Sequence, residues 1–351
     1  MKKEIAILFG GISSEHEISI VSSRSVAEHL SPDEYHIHYI GINAQGQMMA
    51  IEKEQFKNLK KVPEKGSIVH FIAQGEKKGY LKGEIFSPVD VVFPVLHGTG
   101  GEDGWMQGFF DTLQLPYVGS NVEGSCICMN KSIAKKMITN TSIQQVPFSC
   151  FFAHEDLMTI KKNILEKFTL PVFIKPSHGG SSIGISKCKT EETLISCIEL
   201  AFQYDREIIV EQAIQGREIE CSVLGDYENI RSSLPGEIIP LREFYDFDAK
   251  YVEQSTRLEI PANLSDSLVK KLQEKACEIF LQLRCYGMAR IDFFVQEEKE
   301  EIYLNEVNTI PGFTAISMYP KLWEISGLSY CTLLDELIRL AVLRRLKYKY
   351  G

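Results

Sequence analysis

Two segments, Met288-Ala-Arg-Ile-Asp-Phe-Phe-Val295 and Glu301-Ile-Tyr-Leu-Asn-Glu-Val-Asn308, flank a charged turn and are followed by Thr309-Ile-Pro-Gly-Phe-Thr-Ala-Ile-Ser317. In both segments polar residues alternate with apolar ones, a pattern that predicts strands with one buried face. The turn at residues 296–300 is rich in charge and connects the two strands as a hairpin. We therefore predict a β-hairpin whose polar face carries several acidic and amide side chains.

On paired strands, side chains of the same parity share a face, which would place Asp292, Glu306 and Asn308 together beside Arg290. Carboxylate and amide oxygens are the ligands that Mg²⁺ prefers, and three of them suit one or two ions. The alternation alone favours an ordinary hairpin with polar residues facing water. Arg290 has two interpretations as well, an internal salt bridge or a group that stabilises an oxyanion. The rest of the chain must decide between them.

The composition is that of a globular protein with two or three domains. The chain has 351 residues, of which 44% are hydrophobic and 24% are charged. Its 38 basic and 47 acidic residues give a formal net charge of -9. This balance argues against nonspecific nucleic-acid binding as the main role.

Cysteine usage and hydropathy predict a cytoplasmic location. The nine cysteines are an odd number, and their spacing matches no zinc motif, so we interpret them as core residues in a reducing compartment. The apolar run at the N-terminus is too short for a signal peptide. No stretch approaches the roughly 18 apolar residues of a membrane span.

The N-terminal part of the sequence alternates buried strands with glycine-rich loops. Residues 5–9 and 89–96 are apolar runs typical of parallel strands, and residues 35–42 form another strand. A helix is predicted from about Ser13 to Leu30, with Ser14 and Glu17 spaced as a capping box. Residues 44–88 predict only short strands and loops. The second apolar run leads into His97-Gly-Thr-Gly-Gly-Glu-Asp-Gly104, and such loops collect ligands at the edge of a parallel sheet.

Two residues beside these loops are candidates for binding. Glu15 either complements the dipole of the following helix or provides a carboxylate for a substrate ammonium. His97 is either a structural histidine or a ligand-binding group at a strand end. Gly10-Gly11 lacks the spacing of a dinucleotide-binding motif, which argues against a Rossmann oxidoreductase.

A second glycine-rich segment, Lys175-Pro-Ser-His-Gly-Gly-Ser-Ser-Ile-Gly184, follows the strand predicted at residues 172–175. Glycine lets a phosphate approach the backbone, hydroxyls donate hydrogen bonds, and the lysine supplies positive charge. The segment is no Walker A loop, because the Gly-Lys-Ser/Thr spacing is missing. A phosphate-binding loop and a structural hairpin turn explain it equally well. Downstream, residues 207–212, 217–224 and 230–240 predict strands, and residues 265–283 and 332–346 predict helices.

Taken together, these motifs resemble the D-alanine–D-alanine ligases of the ATP-grasp superfamily over nearly the whole chain. The motifs are Leu8-Phe-Gly-Gly-Ile-Ser-Ser-Glu-His-Glu17, His97 to Gly104, Met129-Asn-Lys131, Lys175 to Gly184, Glu211 with Glu218, Phe244-Tyr-Asp-Phe-Asp-Ala-Lys-Tyr251, Arg290-Ile-Asp292 and Asn305 to Ser317. The chain departs from the family pattern at His178-Gly179, which we expect to reshape the phosphate loop.

The resemblance implies an ATP-grasp fold of mixed α/β and α+β class. Residues 1–122 would form an N-terminal Rossmann-like domain with a parallel sheet. Residues 123–213 would form a central lobe and residues 214–351 a C-terminal lobe, and the two lobes would clasp ATP. Residues 242–254 would be a loop that covers the active site.

The resemblance also implies the nucleotide and metal ligands. Phosphates would be bound by Lys131, Lys175, Ser182 and Lys250, the adenine by Glu211 and backbone near Ile214, and the ribose by Glu218. Two Mg²⁺ ions, replaceable by Mn²⁺, would be held by Asp292, Glu306 and Asn308.

The implied reaction joins two D-alanines for peptidoglycan synthesis through a D-alanyl phosphate. The ammonium of the first D-alanine would be held by Glu15, which is linked through Ser181 to Tyr251, with His97 near its carboxylate. The tetrahedral intermediate would be stabilised by Arg290 and the backbone N–H of Gly312. The second D-alanine would be bound by Ser317 and the backbone of Met318.

Two other functions remain open. D-Lactate or D-serine could replace the second D-alanine, although Tyr251 favours the dipeptide-forming type. A catalytically silent nucleotide-binding protein could use the same scaffold. The expected partners are ATP and D-alanine, with neither nucleic acid nor membrane, and the resemblance implies a homodimer.

Overall fold

The structure is a computed structural model that describes residues 2–75, 77–139, 141–180, 183–240, 256–314 and 316–347. Three β-sheets follow one another along the chain, and each has its own packed helices. Among the helices in these ranges, none is long and apolar enough to cross a membrane.

The first sheet has a parallel centre and an antiparallel extension. Its strands are β1 (Lys3–Gly10), β2 (Tyr35–Ile42), β3 (Met48–Ile51), β4 (Ser67–Gln74), β5 (Lys77–Lys82), β6 (Ile85–Pro88) and β7 (Val91–Pro94), in the order β6-β5-β4-β3-β2-β1-β7. Strand β1 pairs in parallel with β2 and β7, as its apolar run predicts. The other pairs are antiparallel and arise from residues 44–88, where the sequence predicted only short strands and loops.

The helices after β1, β3 and β7 are α1 (His16–His29), α2 (Lys53–Lys57) and α3 (Trp105–Thr112). Helix α1 begins later than predicted, with Glu15 as its N-cap, and no side chain caps it. The predicted capping box is therefore wrong. Ser13 instead donates its hydroxyl to the carbonyl oxygen of His97 at 2.6 Å. This hydrogen bond joins the loop before α1 to the glycine-rich loop that begins at His97.

The second sheet is antiparallel and has four strands, β8 (Phe148–Phe152), β9 (Val172–Pro176), β10 (Ser186–Cys188) and β11 (Glu207–Gln212), in the order β10-β9-β11-β8. Helices α6 (Leu157–Lys167) and α7 (Leu194–Phe202) share a buried core with it. Two short helices precede the sheet, α4 (Val122–Met129) and α5 (Lys131–Ile138). Asn130 ends the first of them and caps the second by accepting a hydrogen bond from the Ile133 backbone.

The third sheet contains β12 (Arg217–Gly225), β13 (Ile230–Ser232), β14 (Gly236–Pro240), β15 (Thr256–Glu259), β16 (Gly287–Gln296) and β17 (Glu301–Asn308). The order is β15-β14-β12-β16-β17, with β13 paired to β12. Helix α8 (Asp266–Gln282) packs on β12, β13 and β16. The single strand predicted over 230–240 is wrong, because the chain leaves the ladder at residues 233–235, where Pro235 has no N–H to donate.

Helices α9 (Met318–Ile325) and α10 (Tyr330–Lys347) follow the hairpin. The apolar side of α10 enters the core that contains Ile5 and Ile7 of the first sheet. Buried Arg344 donates to the carbonyl oxygens of Gly119 and Tyr117 at 2.6 and 2.8 Å. The end of the chain thus packs against its beginning, which fixes the first sheet relative to the third.

Candidate active site

The hairpin of β16 and β17 forms as predicted, with a 3-10 turn at Glu297–Lys299. Asp292 lies directly opposite Glu306, and Arg290 lies directly opposite Asn308. The amide nitrogen of Asn308 donates to Asp292 Oδ2 at 3.0 Å. The predicted metal ligands are therefore neighbours on one face.

Arg290 is held by two acidic side chains. Its Nε and Nη2 donate to the two carboxylate oxygens of Asp292, both at 2.8 Å, and Nε lies 3.1 Å from Glu220 Oε2. Burial alone would lower the pKa of Arg290, but the charges of Asp292 and Glu220 outweigh it and raise that pKa. The guanidinium is therefore a permanent positive charge on this face of the hairpin.

Glu220 was not predicted from the sequence as a site residue. It lies on β12 opposite Asp292, so carboxylates from three adjacent strands form a row: Glu220, Asp292 and Glu306. The alternation in Arg217-Glu-Ile-Glu220 indicated a polar face. It could not reveal that β12 and β16 are neighbours, because 62 or more residues separate the paired positions.

Two lysines, Lys175 on β9 and Lys135 on α5, contact the same glutamate on β11. Lys175 Nζ lies 2.6 Å from Glu211 Oε2, and Lys135 Nζ lies 2.8 Å from Glu211 Oε1. Burial alone would raise the pKa of Glu211, but the two lysines lower it to about 2. Lys135 was missed as a site residue, although its spacing of four from Lys131 places both on one face of α5.

The start of the predicted phosphate loop is anchored at three points. Lys131 Nζ donates to the carbonyl oxygen of Gly179 at 2.5 Å. His178 contacts Asp205 Oδ2 through its backbone N–H and Nδ1, at 2.7 and 2.8 Å. Asn130 Nδ2 lies 2.9 Å from His178 Nε2. Because Asn130 donates there, Nε2 accepts and Nδ1 carries the proton toward Asp205.

A cleft separates α5 from β17. It is narrow and partly open to solvent, and it is lined by Lys131, Lys135, Asn305 and Glu306 among others. Burial alone would lower the pKa of Lys175, but the negative charge of Glu211, and then those of Glu306 and Glu218, raise that pKa. The lysines of the second sheet and its helices therefore lie across this cleft from the carboxylates of the third sheet.

His97 connects the first sheet to the segment that follows β17. Its Nδ1 lies 3.0 Å from the Ile310 carbonyl oxygen, and its Nε2 lies 3.1 Å from Ser22 Oγ. The same hydroxyl accepts from the Phe313 backbone N–H at 3.4 Å. Burial lowers the pKa of His97, while nearby Glu15 opposes this effect. The sequence contained no signal for Ser22.

Two carboxylates lie near this contact, those of Glu102 and of buried Glu15. Glu102 accepts from the backbone N–H groups of Gly98 and Ile310 at 2.7 and 3.1 Å. Burial, and then the charge of Glu15, raise the pKa of Glu102 to about 8. A Cβ atom added to Gly98 or Gly180 would lie 2.8 or 3.7 Å from Glu15 Oε2. Glu15 therefore lies between the loop of residues 97–104 and the predicted phosphate loop.

Gly312 and Ser317 are also close together. A Cβ atom at Gly312 would lie 2.7 Å from Ser317 Oγ, so only glycine fits there without displacing the serine. Ser317 Oγ accepts from the Thr314 backbone N–H at 3.0 Å and is the N-cap residue of α9. Met318 begins that helix, and its side chain is buried. A helix N-terminus is suited to a carboxylate.

The remaining predicted residues fall into two groups. Glu218 lies on β12, and Ile214 lies in the linker 213–216 between β11 and β12. Four residues and the predicted cover loop at 242–254 lie outside the residues that the structure describes: Ser181, Ser182, Lys250 and Tyr251.

The donor set on the hairpin fits Mg²⁺. Asp292 and Glu306 offer carboxylates on adjacent strands, and hard oxygen donors of this kind favour Mg²⁺ over softer metals. Asn308 donates to Asp292 through its amide nitrogen, which leaves its amide oxygen as the ligand atom.

A first sheet with a parallel centre, followed by two antiparallel sheets whose units face each other across a charged cleft, is the architecture of an ATP-grasp ligase. The family models described as D-ala D-ala ligase N-terminus and C-terminus match residues 4–120 and 137–339. A D-alanine--D-alanine ligase from Caldicellulosiruptor bescii is 45% identical over 97% of this chain and 95% of its own length. The chain belongs to the D-alanine–D-alanine ligase family, a family of ATP-dependent ligases.

Two solved structures have the same fold. The D-alanine-D-alanine ligase from Coxiella burnetii has a TM-score of 0.88 and 38% identity, covering 99% of this chain and 96% of its own. The VanG D-Ala:D-Ser ligase from Enterococcus faecalis has a TM-score of 0.85 and 36% identity, covering 97% of this chain and 100% of its own. The predicted fold class and family are confirmed.

Proposed function

We propose that this protein joins two D-alanines to D-alanyl-D-alanine with ATP, through a D-alanyl phosphate, in peptidoglycan precursor synthesis. The observation that carries the proposal is the hairpin on which Arg290 and Asp292 pair beside Glu306, facing the lysines of the opposite unit. This arrangement places a permanently charged guanidinium beside carboxylates that suit a metal ion bound to phosphates. The family membership is consistent with it.

In the first step a carboxylate oxygen of one D-alanine attacks the γ-phosphorus of ATP, and ADP leaves. Lys131 and Lys175 bind the phosphates, and we add Lys135, which shares the buried Glu211 carboxylate with Lys175. Asp292, Glu306 and Asn308 would hold two Mg²⁺ ions, or Mn²⁺ in their place, which would supply positive charge to the phosphates. Positioning and charge neutralisation are most of what a protein contributes to this step.

Glu211 has a second role in this proposal. Both of its carboxylate oxygens contact lysines, so it orients the phosphate-binding groups. Its contact with the adenine amino group stays a prediction, as do the backbone contact near Ile214 and the ribose contact of Glu218. Ser182 and Lys250 complete the proposed phosphate ligands.

In the second step the amine of the other D-alanine attacks the acyl carbon. A C–N bond forms, the bond from that carbon to the phosphate oxygen breaks, and phosphate and a proton leave. Arg290 and the Gly312 N–H donate to the oxyanion, and Ser317 with the Met318 backbone binds the carboxylate of the attacking D-alanine. Closure of residues 242–254 would keep water from the acyl phosphate.

The first D-alanine lies beside the first sheet in this scheme. Glu15 holds its ammonium, linked through Ser181 to Tyr251, and the position of Glu15 near Gly98 and Gly180 supports this assignment. His97 is placed near the substrate carboxylate. Because burial lowers its pKa, His97 acts here as a neutral hydrogen-bonding group.

Three further features belong to the proposal. The domains are residues 1–122, 123–213 and 214–351. The nine cysteines are all free, which supports a reducing, cytoplasmic location. The chain forms a homodimer, which multi-angle light scattering of the purified protein would test.

Phosphate release from ATP with D-alanine alone tests the function directly. We expect turnover with D-alanine that D-lactate or D-serine does not exceed at neutral pH. The similarity to a D-Ala:D-Ser ligase makes D-serine the main competing second substrate. A mixed product that dominates when D-serine is added would replace our assignment, and phosphate release without any amino acid would favour another ATP-dependent function.

A further inference from the structure

Three side chains with metal-binding atoms meet on the first sheet, away from the active site. They are Glu4 on β1 and His36 and His38 on the adjacent strand β2. His36 Nδ1 and His38 Nε2 lie 2.5 and 2.8 Å from the same oxygen, Glu4 Oε2. One ligand atom from each residue lies within 4.8 Å of the other two.

The strands hold these groups in fixed positions. Glu4 pairs directly with His36, and His38 is two residues further along β2, so all three project from one face. The two imidazole rings are 4.9 Å apart. Since β1 and β2 are hydrogen-bonded in parallel register, the group does not depend on a loop conformation.

Tyr80 on β5 orients the more buried histidine. Its hydroxyl lies 2.9 Å from His38 Nδ1, which leaves Nε2 facing Glu4. A hydroxyl can donate or accept, so it can support either tautomer of His38. Outer hydrogen-bond partners of this kind are typical of histidines that bind metals.

We propose that Glu4, His36 and His38 form a binding site for a divalent transition-metal ion of the Zn²⁺ type. Two imidazole nitrogens and one carboxylate oxygen are a donor set that suits Zn²⁺, Co²⁺, Ni²⁺ or Cu²⁺ and not Mg²⁺. Zinc binds such atoms at about 2.0–2.2 Å. Small rotations bring the ligand atoms around one centre, because the side chain of His36 is 62% exposed. Three protein ligands leave the fourth position to water.

The site is separate from the active site. Glu4 is six residues before Gly10, where β1 ends next to the active-site loops, which is about 20 Å along an extended strand. The bound ion therefore takes no part in the reaction. It links β1 to β2 near the N-terminal ends of these strands, away from the ends that carry the active-site loops. Because the ion binds only the folded state, it stabilises that state.

Titration of the full-length protein with Zn²⁺, in excess Mg²⁺ to occupy hard-oxygen sites, tests the proposal. We expect one site whose affinity falls at least about tenfold in His36→Ala, with a thermal shift on zinc addition that this variant loses. His154→Ala removes an exposed histidine on another sheet's unit and is the matched control. Equal zinc affinity in His36→Ala and the wild type would overturn the proposal.

Co²⁺ absorption separates this site from the exposed cysteines. Visible bands without thiolate charge transfer, lost in both His36→Ala and Glu4→Gln, are expected for nitrogen and oxygen ligands. Thiolate bands would place the metal at an exposed cysteine, Cys126 or Cys331, and cobalt spectra unchanged by both substitutions would place it elsewhere on the protein. Either result would reject the site. His36 and Glu4 are suitable for substitution because both side chains are partly exposed.

Discussion

Arg290 donates from Nε and Nη2 to the two carboxylate oxygens of Asp292, two residues further along the same strand, at 2.8 Å each. The residue proposed to stabilise the oxyanion thus orients the residue proposed to hold the metal. This contact requires a planar fork, which arginine has and lysine lacks.

For this reason, Arg290→Lys should lower kcat by about 10²–10³-fold, the typical effect of losing one oxyanion donor. Steady-state kinetics and circular dichroism should show a folded protein with slow turnover. Arg339→Lys is the control, because Arg339 makes the same two-pronged contact with Glu336 on the exposed side of α10. Unchanged kcat in Arg290→Lys would remove Arg290 from the catalytic residues.

Glu306→Gln keeps the size of the side chain but removes one of the negative charges opposite Asp292. We expect turnover to fall about 100-fold or more, with partial recovery at high Mg²⁺, because a weaker metal ligand raises the Mg²⁺ requirement. Glu301→Gln, at the start of the same strand, should retain normal activity. A normal Mg²⁺ dependence in Glu306→Gln would contradict the metal assignment.

Glu211→Gln leaves Lys135 and Lys175 buried without their shared carboxylate. Breaking a buried ion pair costs about 3–5 kcal/mol of folding free energy, which urea unfolding would measure. Glu207→Gln is a matched control on the same strand, because its partner Lys136 is 55% exposed. A loss no larger than that of the control would mean that the lysines find other partners.

The same substitution has a pH signature. The pKa of Glu211 is lowered to about 2 from an ordinary 4.5, so the folded state binds this proton less readily than the unfolded state. The resulting stability is present above about pH 4.5 and is lost as the pH falls toward 2. Wild type and Glu211→Gln should therefore converge in stability over this range, and a constant difference would contradict the role of Glu211.

Glu102 should have the opposite pH dependence. Its pKa is raised to about 8, so the folded state holds the proton more tightly, and the associated stability is present below about pH 4.5 and lost as pH rises through 8. The melting temperature of the wild type minus that of Glu102→Gln should decrease between pH 5 and pH 9. The substitution also perturbs the hydrogen bonds from Gly98 and Ile310, but that effect does not vary with pH. A flat difference would show that Glu102 is ionised throughout.

Local patterns were sufficient where the residues of a strand or a short turn carry the signal themselves. The hairpin of Asp292 and Glu306 and the parallel run of β1 were predicted because period and turn residues determine them. The strands within 44–88 were predicted only as short strands without bounds or partners, because their pairing on the edge of an existing sheet depends on the fold. Local propensity carries little information about such strands.

The sequence alone was enough to identify the family and to place Asp292, Glu306 and Asn308 on one face of the hairpin. Spacing and side-chain chemistry are local properties that can be read from the sequence without knowledge of the fold. Only the tertiary structure revealed that Glu220 extends the acidic row and that Glu211 holds Lys135 and Lys175 together. It also brought Ser22 and Glu102 to the segment after the hairpin. These contacts join residues far apart in the chain, and burial and strand order, which set them, are properties of the whole fold.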